Sequence, residues 1–301
     1  MIHGIINIHK EKGYTSHDVV AKLRGIVGQK KIGHTGTLDP DATGVLPVCF
    51  GKATKLCDML TDKDKTYETV MLLGKTTDTQ DITGTILKEE SFEHLSEELV
   101  REKIISFVGD YQQVPPMYSA LKVNGKKLYE LAREGIEIER KARPVSILAI
   151  DILELELPRV KMRVSCSKGT YIRTLCHDIG VSLGCGACME ELVRTKVSRF
   201  TLQDSLTLSE VQEKRMKGQL SDILIPIDRM FDAYEAVTLK AEFASLVYNG
   251  NIFLPMHLNE SITLTDGKKV RVYDEKNQFI AIYQYIEESN LFKIEKMFFE
   301  R

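Results

Sequence analysis

Residues 136–164 read IEIERKARPVSILAIDILELELPRVKMRV, and the class of fold turns on this stretch. Apolar residues recur there at alternate positions, the period of a strand with one face on a core. Two or three strands are expected, broken near Pro144 and Pro158.

The rest of the chain reads outward from it. The segment from Met1 to Lys10 alternates apolar and polar residues and predicts a strand. Ser16 is placed to cap a helix that carries Val19, Val20, Leu23, Ile26 and Val27 on one face and stops at Gly28. A loop follows from Gln29 to Gly44, then strands over Val45 to Phe50 and Thr66 to Leu73. Leu99 to Val108 has helical spacing, and Val123-Asn124-Gly125-Lys126 reads as a tight turn before a short helix, Lys127 to Arg133, closed by Gly135. A further helix runs from Tyr171 to Leu183 and ends at Gly184, and Thr207 with Glu210 forms a capping box for another. Past Asp228 the character changes to a short helix, Lys240 to Tyr248, and small strands turning at Asn249-Gly250, Asp266-Gly267 and Lys276-Asn277. A domain boundary is therefore placed near residue 233. Many strands, few helices and no regular alternation predict an α+β fold with a mainly antiparallel, mixed sheet flanked by helices.

Bulk properties exclude several classes. The 301 residues are 43% hydrophobic and 28% charged, an ordinary globular balance. The N-terminus has no cationic start or cleavage site, and no apolar run approaches the roughly 18 to 20 residues that cross a bilayer, so no membrane association and a cytoplasmic location are expected. Six cysteines without a secretory signal read as free thiols. Cys185-Gly186-Ala187-Cys188 lacks a second ligand pair at zinc spacing, so no metal is expected. Gly51-Lys52 and Gly74-Lys75-Thr76 resemble the end of a phosphate-binding loop, but the required first glycine or hydroxyl is missing in each, so nucleotide binding is not expected. The net charge of −2 hides an uneven distribution, since Arg159 to Arg199 holds eight Lys or Arg against three acids. Such a stretch is an RNA footprint only if other features point there.

The loop Gly33-His34-Thr35-Gly36-Thr37-Leu38-Asp39-Pro40-Asp41-Ala42-Thr43-Gly44 carries one acid, Asp39, beside apolar Leu38 and Ala42. Pro40 pushes Asp39 toward an extended conformation. A long structured loop with an acid in partly apolar surroundings is a common way to build a site. On local chemistry alone an ordinary turn with Asp39 as a helix cap stands equally well.

That loop, continued through Val45-Leu46-Pro47, resembles the signature of the TruB family of tRNA pseudouridine synthases. Further blocks follow in family order: Lys65-Thr66-Tyr67, Gly74 to Asp81, Pro115 to Lys122 with Gly125, Tyr129, Ala132, Arg133 and Gly135 after it, Cys166 to Arg173, and Leu192-Val193-Arg194-Thr195. The resemblance spans residues 4 to about 200. It implies a pseudouridine synthase fold over residues 1–232, with an insertion at about 120–150 that clamps the arm of tRNA. It also implies a small, β-rich PUA-like RNA-binding domain over 233–301, although the C-terminal likeness is weak and a generic β-rich appendage fits nearly as well.

The resemblance further implies isomerisation of uridine to pseudouridine at position 55 in the T-loop of tRNA, without cofactor, metal or guide RNA, by a monomer. Asp39 would be the essential carboxylate, as nucleophile or as base toward a ribose proton. Arg173 would pair with it and hold it charged, as an acid near apolar walls requires. Tyr67 would stack on the target uracil and assist proton transfer at C5, while Tyr171 and Leu192 line the pocket. His34 would enter the RNA and occupy the place of the flipped-out base. Lys10, Lys30, Lys31, Lys122, Lys168 and Arg194 would contact phosphates. Two positions depart from the family pattern: Glu11 replaces a usual proline, and Asp41 a usual hydrophobic residue. A tRNA-binding and refolding chaperone is the alternative reading. Joint retention of Asp39, Tyr67 and Arg173 favours catalysis.

Overall fold

Strand β1 (Gly4–Lys10) runs antiparallel to a longer buried strand, and between them the chain makes helix α1 (Ser16–Val27) and the short strand β2 (Ile32–His34). The computed structural model describes residues 1–123 and 125–299. Continuing along the chain are β3 (Thr43–Phe50), β4 (Lys65–Leu73), β5 (Gly109–Gln113), β6 (Arg143–Glu156), β7 (Arg159–Cys166), helix α2 (Ile172–Leu183) and β8 (Ala187–Val197). They form one sheet in the order β1-β3-β8-β4-β7-β6-β5, with β2 also on β3 and Phe200–Thr201 on β8. Every pair is antiparallel except β3 with β8, joined in parallel at Val193–Thr43 and Arg194–Gly44. The expected mainly antiparallel, mixed sheet is what the chain builds.

Several local expectations shift. Residues 136–142 form no strand, and Pro144 lies inside β6 rather than breaking it. At Pro144 only β5 pairs with β6, because β7 joins from Ile147 onward, so the missing N–H leaves no ladder bond unmade. Thr15, not Ser16, caps α1: its hydroxyl accepts the Asp18 N–H at 3.1 Å while Asp18 accepts the Thr15 N–H at 2.8 Å. Gly28 closes that helix in the left-handed conformation, as expected. The helix expected from Leu99 spans Glu97–Ile105. The turn expected at residues 123–126 rests on Asn124, which lies outside the described residues.

The position of the core explains why β1 buries Asn7 and Lys10 along with its apolar residues. Val19, Val20 and Leu23 of α1 cover one face of β1 and β3 together with Leu208 and Val211 of helix Leu208–Met216. Further along the sheet, Ile172, Leu175 and Ile179 of α2 join Met71, Met162, Val164 and the loop residues Leu38 and Ala42. Cys185 and Cys188 are buried, with burial pushing both thiols up. The C-terminal strands Glu235–Thr238, Lys269–Tyr273, Phe279–Ile286 and Leu291–Met297 form a second, four-stranded sheet. It is not insulated from the first. Ile282 and Phe298 share one apolar cluster with Ile5, Val45, Phe200 and Phe231. No described helix is long and apolar enough to cross a membrane.

Candidate active site

The loop between β2 and β3 crosses over the sheet and is fastened from four directions. The Ser16 hydroxyl accepts the Leu38 N–H at 2.9 Å, and the Gly13 N–H donates to the Pro40 carbonyl at 3.0 Å. Lys10 is fully buried and donates to the carbonyls of Ala42 at 2.5 Å and Pro40 at 3.0 Å. Arg194, 1% exposed, donates to Val45 at 2.8 Å, Gly36 at 3.2 Å and Thr37 at 3.5 Å. Gly44 is required at the loop's exit: its φ is +106°, and an added Cβ would sit 2.2 Å from the Arg194 carbonyl oxygen. With Ala42 donating back to the Asp39 carbonyl at 3.2 Å, Asp39 projects from a rigid turn.

The Asp39 carboxylate meets Arg173, two residues into α2. Nε of Arg173 lies 3.0 Å from Oδ2 and Nη2 lies 3.4 Å from Oδ1, a two-point contact. The same guanidinium donates to the carbonyls of Tyr118 at 2.9 Å and Thr79 at 3.0 Å and faces Asp81 Oδ2 at 3.6 Å. The arginine is nearly sealed, 6% exposed, whereas 41% of the Asp39 side chain stays open. Asp39 thus presents one edge outward over a fixed cation. Burial among the surrounding protein pushes its carboxyl above the ordinary range; Arg173 opposes that rise and Asp81 adds to it. Asp81 is itself held, accepting from the Thr79 and Thr83 hydroxyls at 2.8 and 2.6 Å and from the Thr83 N–H at 3.1 Å.

Tyr67 lies on β4 opposite Arg194 of β8, within the apolar cluster that contains Leu38, Ala42 and Ile172. Burial pushes its hydroxyl above the ordinary range, and the facing Arg194 cation moderates the shift. Leu192, two positions along β8, packs on the same cluster. Tyr171 immediately precedes α2, half-buried, with burial pushing its hydroxyl up. His34 ends β2 with its ring edge-on to His17 at 5.3 Å, and burial pushes its pKa down, favouring the neutral imidazole. Its buried Nδ1 has no hydrogen-bond partner among the described residues.

The sequence-predicted residues Asp39 and Arg173 therefore come together, with Tyr67 and Leu192 on the adjoining apolar wall. Lys10 and Arg194 are placed differently from the expectation that they contact phosphates. Both are sealed inside the protein with their donors on loop carbonyls, so neither faces an outside anion. Burial pushes the Lys10 pKa down to about 8. Sequence reading missed this because each residue stands in a strand whose two faces are covered by distant elements. It also gave no role to Asp81, although the residue closes one of the family-like blocks. Among the described residues no cluster of His, Cys, Asp or Glu is arranged to hold a metal ion.

The chain is similar to known proteins over nearly its whole length. Residues 24–172 match the model of the TruB family pseudouridylate synthase N-terminal domain, and residues 173–232 match the tRNA pseudouridylate synthase B C-terminal domain. The chain is 53% identical to the tRNA pseudouridine synthase B of Lachnoclostridium phytofermentans, covering 99% of this chain and all of the relative. It is 46% identical to that of Clostridium acetobutylicum, over 98% and 99% of the two chains. Among solved structures, a chain of a Cbf5-Nop10-Gar1 complex superposes with a TM-score of 0.73 at 27% identity, covering 99% of this chain and 86% of that one.

Proposed function

Taking as premise that this chain belongs to the TruB family of pseudouridylate synthases, we propose that it isomerises the uridine at position 55 in the T-loop of tRNA, with Asp39 as its catalytic carboxylate. The observation that carries this reading is the two-point Arg173 contact on an Asp39 whose outer edge stays open. The reaction breaks the C1′–N1 bond, turns the base and forms a C1′–C5 bond; the proton lost from C5 is balanced by one gained at N1. An ionised carboxylate beside the sugar serves either as nucleophile at C1′ or as base toward a ribose proton. The guanidinium beneath Asp39 offsets part of the cost that its dense surroundings impose on that charge.

Such a base must leave its stack to reach Asp39. Tyr67, Leu192 and Tyr171 offer the apolar and aromatic walls for it, with the Tyr67 hydroxyl as the group near C5. A neutral His34 suits the space vacated in the RNA, because an uncharged ring stacks without a desolvated charge. Lys10 becomes a loop-holding residue in this scheme rather than a phosphate contact. We assign residues 1–232 to catalysis and 233–301 to a small PUA-like RNA-binding domain, in a cytoplasmic monomer that needs no cofactor and no guide RNA.

Pseudouridine mapping on an unmodified tRNA transcript tests the proposal, using wild type and Asp39→Asn. One new pseudouridine in the T-loop, absent with the variant, supports it. Activity confined to reactions supplemented with a guide RNA would refute guide independence. A wild-type protein that binds tRNA and yields no product would return the argument to the chaperone reading, which refolding of tRNA by Asp39→Asn measures directly.

A further inference from the structure

We infer that Gln113 is a positioning residue for the catalytic arginine, an inference that rests on the synthase reading above. Gln113 ends β5 and is 1% exposed, far along the chain from every residue in the proposed chemistry. Its carboxamide holds both backbone groups of Tyr171: Oε1 accepts the Tyr171 N–H at 2.7 Å, and Nε2 donates to the Tyr171 carbonyl at 3.0 Å. The second Nε2 hydrogen goes to the Tyr111 hydroxyl at 2.8 Å, which in turn donates to Asp178 Oδ2 at 2.8 Å. Each polar group of the chain is thereby matched donor to acceptor, and the order fixes which end of the amide points at which backbone atom.

The place of this clamp gives it meaning. Tyr171 is the residue before α2, and no side chain of its own caps the helix there. The Gln113 amide instead fixes the Tyr171 backbone from a distant strand, holding the point at which the first turn of α2 begins. Arg173 lies in that turn, and the two-point approach of Nε and Nη2 to Asp39, at 3.0 and 3.4 Å, depends on where the turn starts. The strand that ends in Gln113 also leads into the segment whose Tyr118 carbonyl accepts from Arg173 at 2.9 Å. One edge strand thus controls both the base and the tip of the arginine.

Gln113→Met keeps the side-chain volume and removes both hydrogen-bonding functions. In single-turnover pseudouridylation of a tRNA transcript by the full chain, the rate of chemistry is expected to fall about 30-fold, the equivalent of ~2 kcal/mol, with tRNA affinity within about twofold of wild type. The acid limb of its rate–pH profile should move to higher pH, because a displaced Arg173 compensates Asp39 less. Tyr111→Phe removes the outer link and leaves the Tyr171 clamp in place. It should lower the melting temperature comparably while holding the rate within about threefold. Equal rate losses in the two variants, an unmoved acid limb, or a Gln113→Met rate equal to wild type would overturn the assignment. An inactive wild-type protein would instead refute the synthase reading, so the two failures are distinguishable. If Gln113→Met fails to fold, Gln113→Glu carries the same test: it still accepts the Tyr171 N–H and no longer donates to the carbonyl.

Discussion

Replacing Arg173 by lysine keeps the positive charge and removes the geometry, and the structure sets the size of the effect. The guanidinium makes five contacts: two to Asp39, one each to the carbonyls of Tyr118 and Thr79, and one to Asp81. A lysine ammonium has three donors on a stem that cannot form the two-point contact, so at least two of the five are lost. A hydrogen bond to a charged group is worth about 1.5–3 kcal/mol, and the open edge of Asp39 argues for the low end. Two such losses give about 3 kcal/mol, roughly 100-fold in rate at ~1.4 kcal/mol per tenfold. Because Arg173 is sealed from outside, the cost should appear in chemistry rather than in RNA binding. Single-turnover pseudouridine formation and filter binding to the same transcript separate the two. A rate within about fivefold of wild type, or an affinity loss as large as the rate loss, would refute the reasoning.

Other expectations follow from the same site. The raised Asp39 pKa puts the acid limb of the rate above the ordinary carboxylate value, with activity falling as pH drops through it, readable from a single-turnover rate–pH profile. A carboxyl whose pKa is raised on folding favours its protonated form. Its stabilising contribution is complete below the unfolded-state pKa and is lost as pH rises through the folded-state value. Asp39→Asn should therefore melt higher than wild type at pH 7, and a lower melting temperature would contradict that sign. Arg194→Gln should lower stability and activity while leaving the salt dependence of tRNA binding unchanged, whereas a phosphate contact would reduce the log–log slope by about 0.9. Gly44→Ala combines a forbidden φ with a backbone collision and should cost at least ~2 kcal/mol in denaturant melts; a neutral result would mean that β8 yields there.

What the sequence made legible was what is local or periodic. Alternation in residues 145–164 read correctly as paired strands, and Gly28 and Gly184 read correctly as helix stops, because each signal lies within a few residues of its effect. The capping position at α1 was off by one because threonine and serine are adjacent and equally suited; only the need of Leu38 for a distant hydroxyl assigns Ser16 to the interior. The family motifs pointed to Asp39 and Arg173, which lie 134 positions apart in the chain and touch in the fold. Whether a lysine or arginine faces water or a carbonyl was not legible. Lys10 and Arg194 have ordinary neighbours in sequence, and burial is imposed on them by elements far away. Gln113 was invisible for the same reason, since the Tyr171 backbone it clamps stands 58 residues downstream.

The apolar cluster that joins Ile282 and Phe298 to Ile5, Val45 and Phe200 makes the two sheets mechanically dependent. A chain cut after residue 232 would leave those N-terminal side chains facing water across a greasy scar, so the catalytic part is expected to be poorly soluble alone. The intact protein should lose both sheets in a single cooperative step on heating. The appended strands act, in that sense, as a keystone for the larger sheet.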